Sequence, residues 1–153
     1  MFKIVIPAVA ALGLIAFAAQ SQPTASDAET GVAPMGWHLS HEGQMAKLAY
    51  GVANSDQLVL MLMCTPGEDK VSTLGSVRAE ADTATGQTSY QDPMTGGVLH
   101  ESEIARNDAA LADLAATGKM TVVSDQGKVA IGSDSPDQEA VKAFFASCGT
   151  APA

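Results

Sequence analysis

Residues 58–64 form an uninterrupted apolar run, Leu58-Val59-Leu60-Met61-Leu62-Met63-Cys64. Turn-forming residues bound the run on both sides, with Asn54-Ser55-Asp56 before it and Thr65-Pro66-Gly67 after it. Seven apolar residues without polar alternation are typical of a strand that is covered on both faces. We therefore expect the most buried strand of a sheet at this position, with Cys64 at its end.

Shorter strand-like segments surround this run. Trp37–Ser40 and Met45–Tyr50 flank a Gly-containing turn at residues 42–44, which predicts a hairpin. A weaker strand pattern covers Lys70–Val77, so the early part of the chain predicts an antiparallel meander of four strands. Residues 78–97 are rich in Thr, Ala, Gly, Asp and Gln. Either one or two edge strands near Thr85-Gly86 or a long functional loop fits that composition.

A short helix and a second hairpin follow. Asn107-Asp108 forms a polar cap in front of Ala109–Ala116, and Gly118 stands just past the end, where a left-handed residue stops a helix. Lys119–Ser124 and Lys128–Ile131 are strand-like and flank residues 125–127. This spacing predicts a hairpin with a three-residue, Gly-containing loop.

The C-terminal segment has the clearest helical pattern. Ser135 is a suitable N-cap, and Pro136 stands at the first helical position. Apolar residues then follow at i, i+3, i+4 and i+7, namely Val141, Phe144, Phe145 and Cys148. One such stripe must lie against other apolar residues. The sequence thus predicts an α+β fold, an antiparallel β-sheet or small β-sandwich with a short helix near 109–116 and a C-terminal helix packed on the sheet.

The N-terminus reads as a targeting segment. Lys3 precedes a nearly unbroken apolar run, Ile4–Ala19, and Ala16-Phe17-Ala18 fits the small-x-small rule. We expect a signal peptide at residues 1–18, cleaved after Ala18, and hence a periplasmic or secreted protein. An uncleaved membrane anchor is the alternative, although the run is short for a span and Pro7 interrupts it. A flexible leader is expected at 19–34, a single periplasmic domain at 35–149 and a tail at 150–153.

The expected compartment determines the expected state of the two cysteines. In an oxidising environment Cys64 and Cys148, both expected on buried faces, should form a disulfide. Chain entropy gives a stabilisation of about 4.5 kcal/mol for a closed loop of about 85 residues. A redox or metal-binding thiol is the alternative. Neither cysteine has a second Cys two residues away or a basic neighbour, so thiolate activation has little support.

Charge and composition exclude several classes of function. The 153 residues include 17 Asp plus Glu against 8 Lys plus Arg, a net charge of −9. A basic surface, which nucleic acids and anionic membranes require, is therefore not expected. We expect no nucleic acid partner, and no membrane contact after signal cleavage. Two cysteines are also too few for a four-cysteine zinc site.

Catalytic motifs are absent from the sequence. No Ser stands in a Gly-x-Ser-x-Gly turn or has a Lys three residues on, and no glycine-rich phosphate loop occurs. We predict no catalytic residue and no cofactor. One alternative is a hydrolase whose site assembles around His100, Glu101 and Glu103. Another is a copper or zinc carrier that uses His38, His41, Met61 and Met63, although His38 and His41 point to opposite faces if their segment is a strand.

Several segments resemble those of known proteins. The opening Trp37, the segment Leu48-Ala49-Tyr50-Gly51, the strand ending in Cys64 and the closing Phe144-Phe145-x-x-Cys148-Gly149 are similar to small secreted bacterial proteins without an assigned function. The segments Leu111-x-x-Leu114 and Gly118-Lys119-Met120-Thr121-Val122 are more faintly similar to invasion-associated secreted β-proteins. These resemblances imply a periplasmic, β-rich fold and no particular activity.

By elimination, we expect a soluble binding or interaction module without catalysis. Its partner would be an envelope protein or a small ligand.

Overall fold

The structure, a computed structural model, describes residues 34–132 and 136–149. The expected signal peptide, most of the leader, the Ser135 cap and the 150–153 tail lie outside these residues. Strands and helices follow in the order β1 Met35–Glu42, β2 Met45–Val52, β3 Leu58–Cys64, β4 Lys70–Gly75, β5 Arg78–Ala79, β6 Thr85–Gln91, β7 Val98–Ala105, α1 Ala109–Thr117, β8 Met120–Ser124, β9 Gly127–Ile131 and α2 Pro136–Ser147.

Two antiparallel sheets contain these strands. The larger has six strands in the order β1-β2-β3-β4-β7-β6, and the smaller has three in the order β5-β8-β9. The predicted α+β class and the meander of the first four strands are confirmed. In the ambiguous region 78–97, β5 and the edge strand β6 form, and β6 pairs with β7 across an irregularity between Thr85 and Thr88. No long loop occupies this region.

One face of the six-stranded sheet carries the core, and we call it the inner face. Along β3, Leu60, Leu62 and Cys64 are buried, whereas Met61 and Met63 on the opposite face are only half-buried. The prediction that this strand is covered on both faces is therefore wrong. A central strand can be apolar throughout and still bury only alternate residues, because successive side chains point to opposite faces.

The core joins the inner face to both helices and the smaller sheet. Helix α2 contacts β1 and β2, and α1 contacts α2 and β8. The four residues of the predicted stripe, Val141, Phe144, Phe145 and Cys148, are all buried. Trp37 is also buried, as a lone Trp in a small domain usually is. Residues from distant parts of the chain thus share one apolar cluster.

Helix α1 has both predicted caps. The Asp108 carboxylate accepts the backbone N–H of Ala110 at 2.8 Å, and Gly118 stops the helix with a φ of 72°. The predicted β8–β9 hairpin also forms, but its loop differs. Ser124 pairs directly with Gly127, so the loop has two residues instead of three. Gly127 takes a positive φ of 111° at the first position of β9, which lets the chain turn one residue earlier.

A disulfide links the end of β3 to the end of α2. Cys64 and Cys148 are bonded, and their Cα atoms are 5.7 Å apart. The Arg106 guanidinium reinforces this link, because it donates hydrogen bonds to the carbonyl oxygens of Cys148 and Thr65. Cationic groups are favoured at the C-terminal end of a helix, where Cys148 lies. One side chain and one covalent bond therefore hold the same two segments together.

Candidate functional site

The residues of the predicted metal site do not converge. His38 lies on the outer face, the sheet face opposite the core, where its Nε2 is 3.3 Å from the carbonyl oxygen of Gly51. His41 lies on the inner face, and its Nε2 is 3.1 Å from Oγ of Ser147 in α2. Met61 and Met63 share the outer face with His38 but not with His41. Within the described residues, no group of three or more His, Cys, Asp or Glu could hold a metal ion.

The residues of the predicted hydrolase site are also divided between the faces. His100 is hydrogen-bonded through Nδ1 to Oγ of Ser89 at 2.7 Å on the inner face of the sheet. Glu101 and Glu103 both lie on the outer face, as their alternation predicts. Glu101 accepts the Tyr90 hydroxyl at 3.2 Å, and Glu103 accepts Lys70 Nζ at 2.6 Å. The structure therefore does not bring His100 together with either carboxylate.

The strongest candidate for a functional surface is the outer face itself. Its centre is apolar, and none of the side chains there is fully buried. They are Ala49 on β2, Val59, Met61 and Met63 on β3, Leu74 on β4 and Leu99 on β7. Apolar side chains that lie side by side and stay partly accessible are a candidate surface for contact with a partner or a ligand.

Strand register fixes the order of residues across the outer face. One row runs His38, Ala49, Met61, Leu74, Glu101 and Thr88, and the next runs Ser40, Lys47, Met63, Ser72, Glu103 and Thr85. The apolar residues thus occupy the central strands. A cation, Lys47, lies towards the β1 edge, and the two carboxylates lie towards the β6 edge.

Ion pairs and hydrogen bonds hold the charged groups at these edges. Lys47 pairs with Glu42, and its hydrogen bond and charge lower the pKa of the Glu42 carboxyl below its usual value. Burial and the hydrogen bond to Glu101 together raise the pKa of the Tyr90 hydroxyl. The Tyr90 hydroxyl therefore stays protonated and continues to donate to Glu101 at neutral pH. The edges of the outer face are polar but ordered, as the rim of a protein interface is.

Several depressions lie outside the apolar centre in the described part of the chain, among them one at the β6 irregularity and one beside α1. The first, of about 470 Å³, borders the apolar centre between Met63, Thr88 and Glu103. The second, of about 500 Å³, lies between α1 and the smaller sheet and includes Glu80, Asp82 and Asp113. Glu80 forms an ion pair with Lys128. The second depression is open and acidic, and nothing in it resembles a nucleophile beside a base.

The buried Asp108 beside that second depression has a structural role. Its Oδ2 accepts both the backbone N–H of Thr83 at 2.8 Å and the Thr83 hydroxyl at 2.6 Å. Burial raises the pKa of the Asp108 carboxyl, but hydrogen bonds from Thr83 and Ala110 outweigh that effect and leave its pKa below the usual value. A carboxylate held ionised in this way caps α1 and cannot serve as a general acid near neutral pH.

The β6–β7 hairpin ends in an ordered, projecting loop. Asp92 accepts the backbone N–H of Met94 and the hydroxyl of Thr95, and this second hydrogen bond in particular lowers the pKa of the Asp92 carboxyl. Met94 at the tip is 90% exposed. Such a loop presents one apolar side chain to solvent, although it lines none of the depressions described above.

Sequence reasoning missed the outer face because β3 is apolar throughout. The signal that could have identified it lies in the neighbouring strands. In Lys70–Gly75 and Val98–Ala105, successive side chains point to opposite faces, so that Ser72, Glu101 and Glu103 share a face with Leu74. Charged residues in that set mark a face that contacts solvent. Because β3 pairs with β4 in the predicted meander, the two strands share this face, and one face of β3 is therefore expected to contact solvent.

The fold and this surface define an α+β protein in which only one face of the larger antiparallel sheet carries the core. Comparison with known proteins gives no match, whether to a protein-family model, to a curated protein or to a solved structure. In the described part of the chain, neither helix is long and apolar enough to cross a membrane.

Proposed function

We propose that this chain is a non-catalytic binding or interaction protein of the periplasm or the extracellular space, and that the outer face is its binding surface. The observation that carries the proposal is the apolar centre of that face, where Met61, Met63 and Leu74 are only partly buried in the middle of a six-stranded sheet. Contact of apolar side chains with water is unfavourable, so covering these residues with a partner lowers the free energy of the system.

The location of the protein is part of the proposal and rests on two observations. The apolar run that follows Lys3 and the small residues before position 19 have the composition of a cleaved signal peptide. The Cys64–Cys148 disulfide is the kind of bond that persists in an oxidising compartment. A cytosolic protein of this size would rarely keep such a bond.

We also propose a layered arrangement for the folded unit, in which the C-terminal helix and the smaller sheet act as a cover for the inner face. Contacts of α2 with β1 and β2, together with the burial of Phe144 and Phe145, support a cover on that side only. This cover leaves the outer face as the available side of the sheet. This is the arrangement that a binding sheet requires, because one face must supply the core and the other the contacts.

Site-specific photo-cross-linking in cells that express the full chain tests this function. A photoreactive residue replaces Met61 in the centre of the outer face, and the matched control replaces Val129, which is 51% exposed on the smaller sheet. We expect a covalent adduct of defined mass from position 61 and none from position 129. If position 61 forms no adduct, or if both positions form the same adducts, the outer face is not the binding surface.

A further inference from the structure

We infer that the occupant of the outer face is a second copy of this chain, packed face to face about a two-fold axis that runs parallel to the strands. The inference rests on the proposed function, because it names the partner of the same surface. Its support comes from the size of the face, the position of its apolar centre and the asymmetry of its charges.

The size of the outer face suits a small symmetric interface. Strands in a sheet are separated by about 4.8 Å, so six strands span about 24 Å from edge to edge. Seven residues in a strand extend about 23 Å. Contact between two such faces buries roughly 600 Å² on each copy and roughly 1,200 Å² in total, the lower end of the range for specific interfaces. Self-association is therefore expected to be reversible and dependent on concentration.

The apolar centre coincides with the middle of the sheet. With six strands in the order β1-β2-β3-β4-β7-β6, the midline falls between β3 and β4. Met61 and Leu74 are directly paired across that midline. A two-fold axis parallel to the strands exchanges the two sides of the sheet, so it places Met61 over the partner's Leu74. The most apolar part of each face then meets the same part of the other, in an isologous contact.

The charges of the second row match under the same operation. Lys47 on β2 and Glu103 on β7 lie in one row at equal distances from the midline. The axis therefore brings Lys47 opposite the partner's Glu103, and symmetry repeats the contact on the other side. Each group also has an ion-pair partner in its own chain, Glu42 for Lys47 and Lys70 for Glu103, so the contact adds a second group of opposite charge to an existing pair. Stacked sheets are usually rotated by about 30°. The long side chain of Lys47 can follow that rotation, because it has four methylene groups and its side chain is partly exposed.

The charge pattern disfavours the other two-fold arrangement of the same faces. An axis in the plane of the interface but perpendicular to the strands would place each strand over its own copy. Glu101 and Glu103 on β7 would then meet the carboxylates of the partner's β7, and Lys47 would approach the partner's Lys47. Like charges brought together in an interface oppose association. Only the axis parallel to the strands combines apolar contact with opposite charges.

Sedimentation equilibrium of the purified, disulfide-bonded chain tests the inference. We expect a monomer–dimer equilibrium with a dissociation constant of roughly 1–100 μM. Met61→Lys should abolish the dimer, whereas Val129→Lys, on the smaller sheet, should leave the dissociation constant unchanged. Thermal unfolding of each variant shows that it is folded. A wild-type chain that remains monomeric across this range overturns the inference.

A charge exchange tests the geometry even if Met61→Lys fails to fold. Lys47→Glu should raise the dissociation constant at least about tenfold, because it places a carboxylate opposite the partner's Glu103. Adding Glu103→Lys in the same chain should return the constant to within about threefold of the wild-type value. Both variants also lose an ion pair within the chain, with Glu42 or with Lys70, so thermal unfolding must show that each remains folded. If the folded double variant dimerises no better than the single one, the proposed axis is wrong.

Cross-linking separates the two proposals. An adduct at position 61 with twice the mass of the chain supports both of them. An adduct of another mass supports the binding function of the outer face but overturns self-association. Absence of any adduct at this position contradicts the proposed function itself.

Discussion

The indole Nε1–H of Trp37 donates a hydrogen bond of 2.9 Å to the carbonyl oxygen of Gly118, 81 residues further along the chain. Gly118 is the residue at which α1 ends, so the bond ties the first strand to the end of the first helix. The backbone N–H of Trp37 donates to Oδ1 of Asp137 in the first turn of α2, at 3.0 Å. One residue near the start of the described chain thus connects β1 to both α1 and α2.

Replacing Trp37 with Phe should lower the free energy of unfolding by about 1–3 kcal/mol. The smaller ring leaves part of the apolar packing intact but removes the donor, and the buried carbonyl of Gly118 then lacks this hydrogen bond. Urea denaturation followed by far-UV circular dichroism measures the change. The control is Tyr90→Phe, which removes an exposed hydroxyl bonded to Glu101 and should change the stability by less than about 0.5 kcal/mol. Equal losses in the two variants would contradict the structural role of the indole.

Gly132 should tolerate no side chain, because it lies against this hydrogen bond. A Cβ at this position would be 2.1 Å from the Gly118 carbonyl oxygen and 2.7 Å from Trp37 Nε1, and its φ is 100°. We expect Gly132→Ala to destabilise the chain by more than about 3 kcal/mol, from backbone strain and steric overlap together. Gly43→Ala is the matched control. Its φ is 60° and nothing lies within 4 Å, so it should cost only about 1–2 kcal/mol. Similar losses of unfolding free energy at both positions would show that Gly132 does not lie this close to the Gly118 carbonyl oxygen.

The elements of this fold were predictable where the information is local. Asp108 and Gly118 mark the ends of α1 through their capping chemistry, and Pro136 marks the first residue of α2. Cys64 and Cys148 were paired correctly because each lies on a buried position of a recognisable element. These predictions depend on hydrogen bonds and periodicities within a few residues, which the sequence alone records.

The arrangement of the elements was not predictable in the same way. Nothing local indicates that β7 lies between β4 and β6, or that the smaller sheet contains β5 with β8 and β9. The division of the hydrolase candidates could have been foreseen, because His100 and Glu101 are adjacent in a strand and must face opposite sides. The charged residues of β7 also indicate that one face of the sheet is open, but only the register across several strands shows that Met61 and Leu74 are neighbours on that face.

Asp108 should make the stability depend on pH. The pKa of the Asp108 carboxyl is lower in the folded chain than in the unfolded chain, where it has its ordinary value. The carboxylate therefore contributes fully to the free energy of unfolding above about pH 5, and this contribution is lost as the pH falls through the pKa of the folded chain. Asp108→Asn should cost about 1–3 kcal/mol at pH 7, because it removes the negative charge at the N-terminus of α1 and weakens the hydrogen bonds from Thr83. The difference from wild type should shrink towards pH 3, as measured by urea denaturation across this range.

Thr83→Val provides the control for this pH dependence. It removes the hydroxyl that donates to Asp108 Oδ2 at 2.6 Å and accepts the Ala105 N–H at 3.0 Å, but it keeps the backbone N–H of Thr83 and the carboxylate. We expect a smaller loss at pH 7 and a weaker dependence on pH than in wild type, because one of the hydrogen bonds that lower the Asp108 pKa is gone. A difference between wild type and Asp108→Asn that stays constant from pH 7 to pH 3 would exclude this role for the carboxylate.

Reduction of the disulfide should remove a large part of the stability without changing the sheet. The bond closes a segment with a sequence separation of 84, for which chain entropy predicts about 4.5 kcal/mol. Domains of this size have total stabilities of about 5–15 kcal/mol, so the reduced chain should unfold at a much lower urea concentration. The unfolded, unreduced protein should contain no thiol that reacts with maleimide, since both cysteines are paired.

Arg106→Met in the reduced chain should lower the free energy of unfolding by a further amount of about 2–3 kcal/mol, because the Arg106 hydrogen bonds to Cys148 and Thr65 join the same two segments. If reduction leaves the urea midpoint unchanged, the core alone holds α2 against the sheet, and the covalent link contributes nothing to the stability of the fold.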